Sequence, residues 1–274
     1  MPLMPEVYTS KDANAPVLTN EKGSFNNLLK IVLTQGYGEK EAAGWTLAFE
    51  DASNDKVAFK NAGIGYFLRF AYNSQGRMDV NSYESMTDVN NGTNGSSTYQ
   101  INYYADKTQL DWVVVADNKS FYFYAKDTKR IWFFGDFPSF IPGELWNFGI
   151  SMGCLQNYNS LIDAMRKMSG EQEHISLQLL GNPFGSSYFG GINNTIGYPY
   201  YGNVFISKPV LLEGNNPRGV LCGLTDFKHK KEYLVTSIGI NGWAIKEIEG
   251  VDYIFFETYY GVVAIDLDNW WSIK

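Results

Sequence analysis

The sequence predicts an α+β chain, mainly β, in which antiparallel hairpins and a meander form a sandwich- or barrel-like core with two helices. Three observations lead there. Apolar residues fall in short runs or alternate with polar ones, and tight polar turns separate the runs. Aromatic residues are abundant, with 19 Tyr, 18 Phe and 7 Trp, and such side chains favour half-buried pleated surfaces. Helical spacing occurs in only two segments.

In chain order, residues 1–20 are polar and carry prolines at 2, 5 and 16. They read as an extended arm that could order on a neighbouring subunit, and deleting them is expected to spare the fold. The clearest helix runs from Ser24 to Gln35, with Phe25, Leu28, Leu29, Val32 and Leu33 on one face. Ser24 suits its N-cap and Gly36 its stop. Tyr66, Leu68, Phe70 and Tyr72 then alternate with their neighbours, and Asn73-Ser74-Gln75-Gly76 turns into Arg77–Tyr83, giving a hairpin. Ser85–Thr98, rich in Asn, Gly, Ser and Thr, reads as an exposed loop.

The strongest β pattern follows. Leu110–Ala116, Ser120–Ala125 and Ile131–Phe134 are joined by Asp117-Asn118-Lys119 and by Lys126–Arg130, which makes a meander. Pro138, Pro142 and Gly143 end it. A second helix is expected from Asn159 to Ser169, with Leu161, Ile162, Met165 and Met168 on one face. Residues 181–203 carry six glycines among Phe, Tyr and Pro, a composition suited to an interfacial loop. Strands return at Glu232–Ile240, Trp243–Ile248, Tyr253–Phe256 and Val262–Ile265, the first two joined by Asn241-Gly242. The chain divides into an arm (1–20) and two β-rich lobes (21–144 and 145–274), or the lobes form one continuous domain.

Charge and composition narrow the function. With 45% hydrophobic and 19% charged residues a sizeable core is affordable. The net charge of −7 argues against nucleic acid as a partner, because phosphate neutralisation needs a basic patch; Lys228–Lys231 is short and followed by Glu232. No apolar run approaches the length of a membrane helix, and the first residues lack the character of a signal peptide, so neither membrane nor export is expected. Cys154 and Cys222 match no metal or redox spacing and read as buried thiols of a protein made in a reducing cytoplasm.

Chemistry-bearing motifs are sparse. Gly149-Ile150-Ser151-Met152-Gly153 fits the nucleophile-elbow pattern, but that elbow belongs to a parallel sheet with alternating helices. His174 and His229 lack companions for a base or a zinc site. Asp266-Leu267-Asp268-Asn269 lacks the rest of a calcium loop and reads as a polar turn. Glu247 and Glu249 share a strand face, which spacing alone does not make a glycosidase pair. Gly63-Ile64-Gly65 lacks the third glycine of a phosphate cradle. No cofactor or metal is expected. Tyr198, Tyr200 and Tyr201, with Asn193, Asn194 and Asn203, could instead form a glycan platform or an inter-subunit loop.

Several ordered motifs give the chain a family likeness: Val7-Tyr8-Thr9-Ser10, Ala15-Pro16-Val17-Leu18, Gly36-Tyr37-Gly38, Ala42-Ala43-Gly44-Trp45, Tyr83–Val89 with Gly92-Thr93, Trp112–Phe121, Phe134-Gly135-Asp136-Phe137-Pro138-Ser139, Arg218–Leu224 and Glu257-Thr258. With these the chain resembles virion structural proteins of tailed bacteriophages, along most of its length and least over 145–205. The resemblance implies a particle component, not an enzyme, and carries no catalytic residues. The expected role is a tail or baseplate protein made in the bacterial host cytoplasm, packing against other virion proteins and symmetry-related copies of itself. Tyr8 and Pro16 of the arm and Phe189, Tyr198, Tyr200 and Tyr201 of the aromatic loop are the expected contact residues. The alternatives are a head-decoration or head–tail joining protein, a glycan-binding receptor module, and a serine hydrolase acting through Ser151. Phe134–Ser139 is expected to form a turn at the end of the sheet, with Asp136 capping backbone N–H groups.

Overall fold

A computed structural model describes residues 4–74, 76–103, 109–140, 147–151, 155, 161–168, 171–180, 206–207, 210–213, 216–227, 240–248, 250–258 and 262–272. The elements in its first half are β1 (Glu6–Thr9), α1 (Ser24–Lys30) continuing as a π-helical turn (Ile31–Gln35), β2 (Thr46–Asp51), β3 (Lys56–Lys60), β4 (Phe67–Tyr72), β5 (Met78–Met86), β6 (Gly92–Gly95), β7 (Tyr99–Ile101), β8 (Trp112–Ala116), β9 (Ser120–Ala125) and β10 (Arg130–Phe137). The second half adds β11 (Asn147–Ser151), β12 (Leu161–Met168), β13 (Glu171–Leu180), β14 (Ile206–Ser207), β15 (Val210–Glu213), β16 (Asn216–Val220), β17 (Leu224–Phe227), β18 (Trp243–Ile248), β19 (Val251–Glu257) and β20 (Val262–Asp266). The mainly-β class follows directly.

These strands build three antiparallel sheets. A nine-stranded sheet runs β1-β8-β9-β10-β11-β12-β13-β15-β16, a six-stranded sheet holds β2 to β6 with β7 on β5, and a five-stranded sheet runs β14-β17-β20-β19-β18. By pairing β10 with β11, the nine-stranded sheet draws strands from both sides of the expected lobe boundary. It also curls: Ser139 bridges Gly219, and Val220 N–H donates to Pro138 O at 3.2 Å, so the strand farthest along the sheet returns beside β10.

The meander β8–β9–β10 is the middle layer. Trp112, Val114, Phe121, Phe123, Trp132 and Phe134 point to one face and pack with α1 and the six-stranded sheet through Phe25, Phe59, Leu68 and Phe70. Val113, Val115, Tyr122, Tyr124, Ile131 and Phe133 point to the other and pack with the five-stranded sheet through Ile254, Phe256, Val263 and Ile265. Burial on both faces removes the apolar–polar alternation and leaves continuous apolar runs. It also explains the aromatic excess. The tyrosines lie on the face toward the five-stranded sheet, where their hydroxyls reach backbone carbonyls: Tyr122 Oη donates to Cys222 O (2.8 Å), and Tyr124 Oη to Gly242 O (3.0 Å) and Glu257 O (2.7 Å). Burial pushes both phenols above their ordinary pKa, so they stay neutral donors. Tyr124→Phe removes the donor shared by two carbonyls and should cost about 1–2 kcal/mol, read as a lower urea midpoint at unchanged slope.

Five sequence expectations change. The arm is an edge strand: Glu6–Thr9 pairs with β8, Tyr8 is 1% exposed, and Leu18 is buried and bridged to Leu110. Glu6–Thr9 find ladder partners and Tyr8 and Leu18 join the core, although Met4 and Val17 stay exposed, so removing residues 1–20 would strip core contacts instead of sparing the fold. The second helix is strand β12, paired along both edges with β11 and β13, because a ladder on both sides outweighs a weak local helical spacing. The loop over 85–98 contains β6, exposed but paired with β5; a Cβ at Gly92 or Gly95 would strike the Tyr83 ring. Phe134–Phe137 belong to β10 and do not form a turn. Ser24 is the first helical residue; Gly23, at φ 90°, takes the cap position, and its N–H donates to Asp55 Oδ2 at 2.9 Å.

Other expectations hold. The Asn73–Gly76 turn joins β4 to β5, and Gly36 ends the first helix. The partner strand expected at Glu232–Ile240 lies, but for Ile240, outside the described residues. No helix among the described residues is long and apolar enough to cross a membrane.

Candidate functional site

A buried polar cluster lies where the three sheets meet. From the middle layer come the turn between β8 and β9 and the end of β10, which bring Asp117, Lys119, Ser120 and Asp136. The six-stranded sheet sends the loop between β3 and β4, with Asn61, Gly63 and Ile64. The turn before β17 brings Cys222, and the segment after β20 brings Trp271.

Asp136 is the centre of this junction. It is 0% exposed; Oδ2 accepts from Ile64 N (2.9 Å) and Oδ1 from Asn61 Nδ2 (2.8 Å). The expected capping of backbone N–H is therefore present, aimed at a neighbouring loop. Asn61 also donates to Lys119 O (2.9 Å), accepts from Gly65 N (2.9 Å), and so holds the loop shut. The loop passes so close that a Cβ at Gly63 would collide with the Asp136 carboxylate. Burial pushes the Asp136 carboxyl up to about 7, against the lowering effect of its hydrogen bonds and of Lys119.

Asp117 is 3% exposed and fastens the other side. Its Oδ1 accepts from Lys119 N (2.9 Å) and Ser120 N (2.8 Å), and its Oδ2 from Trp271 Nε1 (2.6 Å). Its backbone O accepts from Trp45 Nε1 (2.9 Å). Burial raises its carboxyl as well. The Lys119 ammonium sits 5.0 Å from the Trp271 ring centroid. Cys222, a free thiol, donates to Asp136 O at 3.3 Å, and burial raises it well above the ordinary thiol range. A buried thiol held in its neutral form is a poor nucleophile. The chemistry of the cluster is fastening: each carboxylate binds donors from segments distant in sequence.

Of the expected contact residues, the structure describes Tyr8 and Pro16. Tyr8 packs inside the chain, with Oη donating to Glu41 O at 2.8 Å, and Pro16 is buried, with its O accepting from Trp112 Nε1 at 3.1 Å. Neither presents a face to a neighbour. Phe189, Tyr198, Tyr200 and Tyr201, with Asn193, Asn194, Asn203, Cys154, His229 and Glu249, lie outside the described residues. Ser151 ends antiparallel strand β11 opposite Ile162, and His174 lies on β13 opposite Met165. Glu247 is exposed on β18. Asp266 caps the turn read from the sequence, accepting from Asn269 N at 2.8 Å. Among the described residues no group of three or more His, Cys, Asp or Glu is placed to hold a metal.

Sequence reading alone missed Asn61, Asp117, Lys119 and Trp271. Asp117-Asn118-Lys119 stood out only as a turn, and Trp271 meets Asp117 across 154 positions. No local pattern announces such a pairing. No protein-family model and no curated protein matches the chain.

Proposed function

We propose that the chain is a structural component of a tailed-phage particle, placed in the tail, that works by presenting a rigid β scaffold to neighbouring subunits. The observation that carries this reading is where the family-like motifs lie. Gly44-Trp45, Phe134–Pro138 and Arg218–Leu224, far apart in the chain, meet at the junction. Gly44, at φ 91°, packs on Asn118; Trp45 binds Asp117 O; a Cβ at Gly219 would strike Pro138 O; Cys222 binds Asp136 O. These residues thus hold the layers together, which supports the reading of a rigid scaffold.

The test is quantitative mass spectrometry of purified particles. A tail ring gives about six or twelve copies of this chain per particle, a head-decoration protein hundreds, and a fibre-type adhesin about three. Complete absence of its peptides from particles that contain the other tail proteins would sink the proposal and favour a free glycan-binding protein or an enzyme.

A further inference from the structure

Three Asn-Gly pairs stand in the chain: Asn91-Gly92, Asn94-Gly95 and Asn241-Gly242. In such a pair the glycine nitrogen can attack the asparagine side-chain carbonyl, because no Cβ hinders its approach. The folded backbone decides which pair has the freedom to do so. Gly242 is buried; its O accepts from Glu257 N (2.7 Å) and Tyr124 Oη (3.0 Å), and a Cβ there would strike Lys126. Asn91 is tied on every side: its N donates to Asp88 Oδ1 (3.0 Å), its Nδ2 to Asp88 Oδ2 (2.8 Å), and its O accepts from Thr87 N (3.0 Å). Asn94-Gly95 differs. It lies on β6, an edge strand exposed at all its residues, and Asn94 has φ 48°, a left-handed conformation that mildly strains a residue with a Cβ. Beside Gly95 the ladder bond runs from Ser96 N to Ser82 O (2.9 Å), so Tyr83–Gly95 is a non-hydrogen-bonded pair and the Gly95 N–H points away from β5. The Asn94 side chain donates from Nδ2 to Glu84 Oε2 at 2.5 Å, a surface contact for which water competes.

We propose that Asn94 is a self-modification site, deamidating through its own neighbour, and that the change releases β6 from the sheet. The Gly95 nitrogen bonds to Asn94 Cγ and closes a five-membered succinimide. The Cγ–Nδ2 bond breaks, and the Gly95 proton leaves with the amide nitrogen as ammonia. Water then opens the ring at either carbonyl, which leaves aspartate or isoaspartate at position 94. Either product sets a second carboxylate against Glu84, where the amide now donates, and like charges across two strands repel. Isoaspartate also adds a backbone atom to β6 and breaks its register with β5. The strand that lifts away is the one covering the Tyr83 ring: a Cβ at Gly92 or Gly95 would strike that ring, so both glycines lie directly on it. This site stands apart from any role in a particle.

Peptide mapping by mass spectrometry of the folded full chain, aged in mildly alkaline buffer, reads the site directly. Asn94 should convert at least roughly tenfold faster than Asn91 or Asn241, the factor that about one net hydrogen bond of restraint supplies. Asn94→Gln, whose longer side chain closes the ring far more slowly, should leave this peptide unconverted. Equal rates at the three pairs overturn the proposal. So does an Asn94 that keeps its amide in the folded chain while the urea-unfolded chain converts. Hydrogen exchange on the aged sample then reads the release. Chains converted at 94 should lose protection at the Ser96 N–H, and unchanged protection there would overturn the loosening of β6.

Discussion

Phe123→Ala should cost about 3–5 kcal/mol, which is a large share of the stability of a typical domain. Phe123 is 0% exposed at the centre of the middle layer. Its ring lies 4.9 Å from Phe25 in an edge-on contact and 5.7 Å from Trp132 in a stacked one, with Tyr103 at 6.1 Å. Truncation therefore removes apolar burial and three aromatic contacts together. The neighbours stand on a helix and a paired sheet, which cannot collapse into the space. Chemical denaturation should show a lower midpoint. A loss under about 1 kcal/mol would mean that α1 and the six-stranded sheet are not seated on the middle layer as described.

Gly135→Ala should be nearly as damaging, at about 3 kcal/mol, or a fall of roughly 6–12 °C in Tm. Gly135 has φ 118°, a conformation that side chains rarely adopt. An added Cβ would also press on Lys119 O and come within 2.5 Å of Ser120 Cα, both backbone atoms of the turn that holds Asp117. Neither can yield without moving the junction. Gly250 supplies the comparison. It too has positive φ, 78°, but a Cβ there meets nothing within 4 Å, so Gly250→Ala should cost only about 1 kcal/mol. Equal losses at the two glycines would contradict the crowding at Gly135.

What the sequence made legible was local. The first helix, the β4–β5 hairpin and the β8–β9–β10 meander follow from spacing and turn residues, because each pairs with a near neighbour in the chain. What stayed hidden depends on distant partners. Glu6–Thr9 reads as a loose arm because its ladder partner, Val113–Ala116, lies more than 100 positions away. Leu161–Met168 reads as a helix because its two neighbouring strands are invisible to a local window. Tyr8, read as a contact residue, buries its ring and spends its hydroxyl inside the chain, as Tyr122 and Tyr124 of the meander also do. The site was legible only in part: the role of Asp136 as a cap follows from residue type, whereas Asn61, Asp117 and Trp271 reach it through the meeting of three sheets.

The particle assignment is tested most directly by imaging purified particles with a gold-labelled antibody raised against the full chain, alongside particles lacking the protein as a control. The account predicts gold at the tail, confined to one level along it, and none on the control. Gold spread over the head would contradict the tail placement, and particles free of both gold and the chain's peptides would contradict the structural role altogether.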